Sequence, residues 1–183
     1  YFREDNFTAV RDRVLEFAAG MARLGMPWLC ESRADTLDND LLRAMRDGGC
    51  RGIWFGLETV REATMRAIGK PVDLERVRAI IATCRALGIR TGGGFMVGFP
   101  DEDAAAIAET FAVSRTLGLD HAFYNRLWLI PGTRLYDEVC AAGLATYEHE
   151  HIVLPATQHL SSEQVTDAYY NNLYNRRTRM LRA

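Results

Sequence analysis

The sequence has 183 residues, of which 48% are hydrophobic and 25% are charged. This composition suits one globular domain with a sizeable core and excludes a disordered chain. The formal net charge of −2 gives no reason to expect nucleic acid or a membrane surface as the main partner. No apolar run is long enough to cross a bilayer, so we expect no membrane span.

The four cysteines are scattered along the chain and show no CxxC spacing. This pattern argues against a self-contained zinc or iron–sulfur motif and fits a reducing compartment. We therefore expect a cytoplasmic protein. The chain also starts in what resembles the end of a strand, so we expect it to be a fragment of a longer polypeptide.

Helices and short buried strands alternate along the sequence, and glycines stand at most of the joins. Thr8 and Asp38 are the predicted N-caps of the first two helices, and Gly25 is the predicted end of the first. The predicted strands cover residues 28–32, 51–57, 89–98 and 121–130. The predicted helices cover residues 8–24, 38–47, 61–87 with a break at 69–71, 103–117, 133–142 and 161–183.

Strands that alternate with helices predict a parallel sheet with right-handed crossovers, either open or closed into a barrel. In the strand at 51–57, one face carries Ile53, Phe55 and Leu57, and we expect this face to pack against helices, as we do for Phe95 and Val97 in the strand at 89–98. The opposite faces are small, mixed and partly polar. An open doubly wound sheet would be apolar on both faces, so we predict an α/β fold that is part of a (β/α) barrel.

We predict that this barrel covers residues 1–145 and that a C-terminal loop and helix follow at 146–183. Three glycines in succession at 92–94, with Gly98 further on, indicate that a ligand or another backbone approaches the strand closely. The sites of βα barrels lie at the carboxyl ends of the strands. We therefore expect the functional site at that edge of the sheet.

Five segments at successive strand ends resemble the motifs of radical S-adenosylmethionine (SAM) enzymes, and their strength lies in their order and spacing. The likeness covers about residues 1–145 and is greatest to the branch that often carries a cobalamin-binding domain. The segments are Tyr1-Phe2-Arg3-Glu4-Asp5-Asn6-Phe7, Cys30-Glu31-Ser32-Arg33-Ala34-Asp35, Gly56-Leu57-Glu58-Thr59, Gly94-Phe95-Met96-Val97-Gly98-Phe99-Pro100 and Pro131-Gly132-Thr133.

The resemblance implies a partial (β/α)6 barrel of the TIM-barrel type that binds SAM and a 4Fe-4S cluster at its mouth. The cluster donates an electron and SAM splits into methionine and a 5′-deoxyadenosyl radical. Radical chemistry such as methylation or rearrangement on a small-molecule substrate is the implied function. The resemblance also implies an electron donor protein as partner and, in this branch, cobalamin as a further cofactor.

The same resemblance assigns cofactor-binding roles to residues of the first half of the chain. It places Glu4 and Asp5 near the methionine amino group of SAM, where a carboxylate suits an ammonium. It places Glu58 near the ribose or the methionine, and Ser32 and Arg33 near the carboxylate of SAM. Two simpler interpretations stay open, because Glu58 can be a charge at a helix N-terminus and Arg33 can form an ordinary ion pair with Asp35 or Glu58.

In the second half, the resemblance places Gly94, Met96 and Gly98 against the adenine of SAM, which small residues allow to lie along the backbone. Asn125 and Ile130, the residue before Pro131, border the same ring. The alternative interpretation of the glycines is close packing of a helix on the strand.

The CxxxCxxC cluster motif of the family is absent from these residues. Because that motif follows the first strand of the family fold, we expect the cluster ligands outside this chain and predict no metal ligand within it, and the sequence does not identify the catalytic residues. Cys50 and Cys84 are predicted to be buried. Cys30 lies on a strand directed toward the mouth and is included among the cofactor-binding candidates.

Two other functions remain open. One is a SAM-binding or scaffold module without a cluster, and the other is a βα-barrel enzyme that binds phosphate at residues 98–103. The plain interpretation of the histidines at 149, 151 and 159 is a polar loop, and that of the arginines at 176–182 is a solvated helix end. A barrel without its first strands leaves sheet edges exposed, so self-association is also expected.

Overall fold

The computed structural model describes residues 1–70, 73–148 and 152–180. The strands are β1 (Trp28–Ser32), β2 (Cys50–Glu58), β3 (Arg90–Val97), β4 (His121–Arg126), β5 (Ala145–Glu148) and β6 (Ile152–Pro155). The helices are α1 (Arg11–Leu24), α2 (Asn39–Asp47), α3 (Glu62–Ala67), α4 (Leu74–Ala86), α5 (Ala104–Ser114), α6 (Arg134–Ala141) and α7 (Ser162–Met180).

The main sheet has the strand order β1-β2-β3-β4, and β5 and β6 form a separate antiparallel pair. β1 and β2 are parallel, with Cys30 opposite Ile53 and Ser32 opposite Phe55. Each strand of the main sheet is followed by a helix, and the sheet is not closed in the described residues. The predicted α/β fold, a partial barrel, is confirmed.

The chain divides into two compact units. Unit 1 comprises Tyr1–Glu58, Gly69–Gly94 and Ser114–Phe123, and unit 2 comprises Thr59–Ile68, Phe95–Val113 and Tyr124–Ala183.

The core of unit 1 lies between the helices and one face of the sheet. Ile53, Phe55 and Leu57 are all buried there, as their alternation in the sequence predicts. Under α1, four aromatic rings pack edge to face or tilted, with 5.1 Å between the centroids of Phe17 and Trp28. Such contacts add to the burial of large apolar side chains, so this cluster fixes α1 on the sheet.

The core of unit 2 contains Phe95 and Val97, which are buried as predicted. Phe111 of α5 stacks on Tyr124 of β4 with 4.2 Å between the ring centroids. Tyr169 of α7 donates its hydroxyl hydrogen to the carbonyl of Tyr124 at 2.9 Å. The C-terminal helix is therefore part of this unit's packing and is held to β4.

Most predicted helix ends are confirmed. The Asp38 carboxylate accepts a hydrogen bond from Leu41 N at 2.8 Å, as an N-cap does. Gly25 ends α1 with φ 65°, a left-handed conformation that glycine adopts without strain. The prediction for Thr8 is wrong: α1 begins at Arg11, and the Thr8 side chain is buried in a hydroxyl cluster.

Two segments differ from the expected strands and loops. β4 ends at Arg126 instead of continuing to residue 130. The segment expected to be a loop after residue 145 contains the β5–β6 pair. His149 and His151 lie outside the described residues, as do residues 181–183, the last part of the expected C-terminal helix.

Candidate functional site

Glu58 ends β2 in a conformation that is unusual for its residue type. Its φ is 63°, and it is the one non-glycine residue with positive φ in the part of the chain that the structure describes. A left-handed backbone costs an ordinary residue about 1–2 kcal/mol. Such strain is found where the surrounding structure holds a side chain in place, often at functional sites.

Lys70 holds the carboxylate of Glu58. Its Nζ lies 2.8 Å from Glu58 Oε1, and the Glu58 side chain is only 19% exposed. A carboxylate has two oxygens and accepts several hydrogen bonds, so the second oxygen of Glu58 has capacity for a ligand. The pair therefore presents a fixed acceptor at the carboxyl end of β2.

Glycines beside Glu58 leave the sheet without side chains at this edge. A Cβ on Gly56 would lie 2.9 Å from Glu58 Oε1, so a larger residue would displace the carboxylate. A Cβ on Gly94 would meet only the Phe55 carbonyl, at 3.9 Å, so the space above it is open. The reason for glycine at position 92 is different: the ring of Trp54 lies directly against Gly92 and leaves no room for a Cβ.

Ser32 lies at the end of β1 and its hydroxyl is already occupied. The side chain is buried and bonds to the hydroxyl of Thr8, and Asn6 Oδ1 accepts from Ser32 Oγ at 3.4 Å and from Thr36 Oγ1 at 3.3 Å. The cluster joins residues 6–8 to the end of β1. In this structure Ser32 thus has a structural role, and its proposed contact with SAM stays a prediction.

Arg33 forms two hydrogen bonds with Asp35, from Nε at 3.0 Å and from Nη2 at 2.6 Å. This guanidinium lowers the pKa of the Asp35 carboxyl below its ordinary value. The simpler of the two interpretations of Arg33, an ion pair with Asp35, describes this geometry. A ligand carboxylate at Arg33 would have to compete with Asp35.

Glu4 and Asp5 follow a short strand-like contact, since Phe2 pairs in parallel with Cys30 of β1. This pairing agrees with the expectation that the first residues belong to a strand. The carboxylate of Glu4 accepts from Arg13 Nη2 at 2.7 Å. A ligand ammonium at Glu4 would share the carboxylate with this arginine.

Cys30 lies in β1, and its role toward a cofactor stays a prediction. It is fully buried on the face of β1 that the helices cover. The hydrogen bond to Cys50 and the burial raise the pKa of its thiol well above the ordinary range. A neutral buried thiol behaves as a small hydrophobic group, so this placement gives no support for cofactor binding.

The remaining predicted residues belong to unit 2. Gly98 follows β3 with φ 93°, and Met96 is partly buried in the strand before it. Asn125 is exposed on β4 and Ile130 is 60% exposed after it. Their roles toward adenine stay predictions.

Glu102 holds the turn that follows β3. Its Oε2 accepts from the backbone N–H of Gly98 at 2.7 Å and from that of Phe99 at 3.2 Å. The side chain is fully buried and Oε1 has no hydrogen-bond partner in the described structure. Burial raises the pKa of this carboxyl to about 7, although both backbone hydrogen bonds act to lower it.

The sequence did not identify Lys70 or Glu102 as part of the site. Lys70 is separated from its partner by a short helix, and no local pattern links the two residues. Glu102 stands among acidic neighbours in a segment that resembles a helix start, where carboxylates are common. The sequence feature that could have indicated a role for Glu102 is its position four residues after Gly98, the glycine that follows β3.

The sequence profile of the Radical SAM superfamily matches residues 5–113. Since this is more than half of the chain, the protein belongs to the radical SAM superfamily. The predicted family is confirmed.

The chain is similar to two curated methyltransferases and to one solved radical SAM structure. It is 28% identical over 145 residues to an uncharacterized methyltransferase of Pyrococcus horikoshii, covering 78% of this chain and 32% of that protein. It is 29% identical over 157 residues to cytidylyl-2-hydroxyethylphosphonate methyltransferase of Streptomyces wedmorensis, covering 81% and 29%. Its fold matches the radical SAM methyltransferase TsrM of Kitasatospora setae, solved with cobalamin and a [4Fe-4S] cluster, at TM-score 0.65, 16% identity and coverage of 90% and 34%.

The chain thus spans about a third of the length of the curated relatives that it matches. Within the described residues, no helix combines the length and apolar character needed to cross a membrane.

Proposed function

We propose that this chain forms the SAM-binding part of a radical SAM enzyme that acts on a small-molecule substrate. The family match supports the class of chemistry. The observation that carries the assignment of the site is the strained, half-buried Glu58 held by Lys70 at the end of β2.

In this proposal Glu58 binds the ribose of SAM. Its free oxygen accepts hydrogen bonds from the hydroxyl groups, and charge-assisted bonds of this kind are stronger than neutral ones. Lys70 holds the carboxylate in one orientation. Gly56 and Gly94 leave room for the ligand to approach the backbone of the two strands.

SAM, when bound and reduced, supplies the 5′-deoxyadenosyl radical that starts the chemistry of this family. The residues described here do not fit the cluster that provides the electron. Residues 1–70, 73–148 and 152–180 contain no group of three His, Cys, Asp or Glu side chains that could hold a metal ion. Cys30, Cys50 and Cys84 are all buried. We therefore assign the cluster ligands to a part of the protein outside this chain.

Methylation is the reaction that the relatives favour, because two of them are named methyltransferases. A solved structure with the same fold holds cobalamin. We propose the same use of cobalamin here, with its binding site outside this chain. An electron donor protein is the further partner that such chemistry requires.

A phosphate site at residues 98–103 is disfavoured by Glu102. Its carboxylate already occupies the N–H groups of Gly98 and Phe99, which an anion would need. A SAM-binding module without a cluster stays the second candidate, since three of the four cysteines are buried and Cys140 is partly exposed. Iron content of the longer protein separates it from the first.

The proposal is tested by titrating SAM into the protein and into its Glu58→Ala variant, with binding followed by calorimetry. We expect Glu58→Ala to weaken binding about tenfold or more, because a charge-assisted hydrogen bond is lost. Glu62→Gln, a change at an exposed glutamate of α3, is the matched control and should bind as the wild type does. Equal affinity of Glu58→Ala and wild type would contradict the assignment.

A further inference from the structure

Lys70 is the only lysine in the sequence. Of the 22 lysine and arginine residues, all the others are arginine. The two residue types are not equivalent, because arginine presents a planar fork of donors whereas the lysine ammonium is a compact charge whose three donors rotate freely. A chain that has lysine only at the position bonded to Glu58 indicates a task there for which the compact ammonium is suited.

The ammonium group of Lys70 has donors that the protein does not use. Its Nζ carries three N–H bonds, and one of them is directed to Glu58 Oε1 at 2.8 Å. In the residues that the structure describes, Glu58 is the only group bonded to this ammonium. The Lys70 side chain is 40% exposed. A ligand can therefore reach the remaining donors.

Two arginines beside the predicted SAM contacts are more fully engaged. Arg33 donates to both carboxylate oxygens of Asp35, at 3.0 Å and 2.6 Å. Arg13 donates to both carboxylate oxygens of Glu4, at 3.3 Å and 2.7 Å. An anionic ligand at either guanidinium would have to displace or share a two-pronged partner. Lys70 makes a single bond to its carboxylate, so it is better able than these arginines to accept an anion.

We propose that Lys70 binds the carboxylate of the methionyl group of SAM while it holds Glu58. This inference rests on the proposed function, in which Glu58 binds the ribose. The methionyl chain of SAM is attached at C5′ of the ribose, so both groups of the ligand belong to neighbouring parts of one molecule. The donors of an ammonium point in different directions, and one Nζ therefore serves two carboxylates. The contact that the sequence motif suggested for Arg33 is assigned to Lys70.

The test compares SAM with decarboxylated SAM, which keeps the adenosine, the sulfonium and the amino group and lacks only the carboxylate. Each ligand is titrated by calorimetry into the wild type and into Lys70→Met. We expect the wild type to bind SAM about tenfold or more tightly than decarboxylated SAM, because only SAM makes the charge-assisted hydrogen bond. In Lys70→Met this preference should fall to about twofold or less, since the variant lacks the partner of the carboxylate.

Two further variants separate a direct contact from an indirect one. Arg43→Met removes an exposed cation of α2 that lies 2.9 Å from Asp40, and it should keep the preference for SAM. Glu58→Ala should weaken the binding of both ligands to a similar extent, because both contain the ribose. Equal losses for the two ligands in Lys70→Met would overturn the inference and leave Lys70 acting only through Glu58. A wild type that binds neither ligand would overturn the proposed function and this inference together.

A second measurement needs no variant. Because Lys70 is the only lysine, an amine-reactive acetylating reagent modifies its side chain and the N-terminal amine, and mass spectrometry gives the rate at each. We expect saturating SAM to slow the acetylation of Lys70 several-fold relative to saturating decarboxylated SAM, with the N-terminal amine as the internal reference. Equal rates at Lys70 with the two ligands would overturn the inference. Circular dichroism checks that each variant used in the titrations is folded.

Discussion

The buried carboxyl of Glu102 predicts a stability that falls as the pH rises. Burial raises its pKa to about 7 from the ordinary 4.5. Between these values the folded protein retains a proton that the unfolded chain releases, so the free energy of unfolding decreases with increasing pH across this window and levels off above about pH 7. One pKa unit corresponds to about 1.4 kcal/mol, so the ionisation of Glu102 lowers the free energy of unfolding by about 3 kcal/mol across this pH window.

Glu102→Gln removes the titration while keeping an oxygen that accepts from Gly98 and Phe99. Urea unfolding of wild type and variant at pH 5, 6, 7 and 8 gives the difference in stability at each pH. We expect the wild type to lose about 2–3 kcal/mol relative to Glu102→Gln between pH 5 and pH 8. Glu109→Gln, at an exposed glutamate of α5, is the control and should show no such trend. A constant difference between wild type and Glu102→Gln, or a change of the opposite sign, would refute the reasoning.

Three further predictions concern unit 1 and the cluster. Gly92→Ala should lower the free energy of unfolding by about 1–3 kcal/mol, because its Cβ would lie 1.8 Å from the Trp54 ring, whereas Gly94→Ala should be nearly neutral. Urea unfolding of both variants measures this difference, and equal losses of stability would contradict the prediction. Asp120→Asn should lower the free energy of unfolding by about 1–2 kcal/mol at pH 7, because Asp120 Oδ2 accepts a hydrogen bond from Thr91 N at 2.7 Å. The loss of stability should shrink on acidification, since this hydrogen bond holds the pKa of Asp120 below its usual value. A loss that does not depend on pH would show that the charge of Asp120 plays no part. The 183-residue chain alone should not retain stoichiometric iron and sulfide after anaerobic reconstitution, and a full cluster measured by metal analysis would contradict the placement of its ligands outside this chain.

Local patterns in the sequence were sufficient for the alternating helices and strands. The faces of β2 and β3 followed from strict alternation, and Gly25 and Asp38 ended and began helices because their chemistry suits those positions. Thr8 was mistaken for an N-cap because its hydroxyl is equally suited to a side-chain cluster. That choice depends on Ser32, which is 24 residues from Thr8 in the sequence and becomes its neighbour only in the folded chain.

The candidate site was harder to predict from the sequence than the helices and strands were. Glu58 was identified through its motif, but its left-handed backbone and its ion pair with Lys70 depend on the tertiary structure. From the sequence, Arg33 could pair with Asp35 or with Glu58, and only the structure shows that it bonds to Asp35. The orientation of Cys30 depends on which face of β1 the helices cover, and the sequence of a short strand does not fix this.

The central claim is that this chain belongs to an enzyme that cleaves SAM reductively. The most direct measurement is the formation of 5′-deoxyadenosine from SAM by the longer protein that contains this chain, after anaerobic reconstitution and with a reductant, compared with its Glu58→Ala variant. We expect 5′-deoxyadenosine from the wild type and a strongly reduced amount from the variant at low SAM concentration. A protein with a full cluster that binds SAM and forms no 5′-deoxyadenosine would contradict the account.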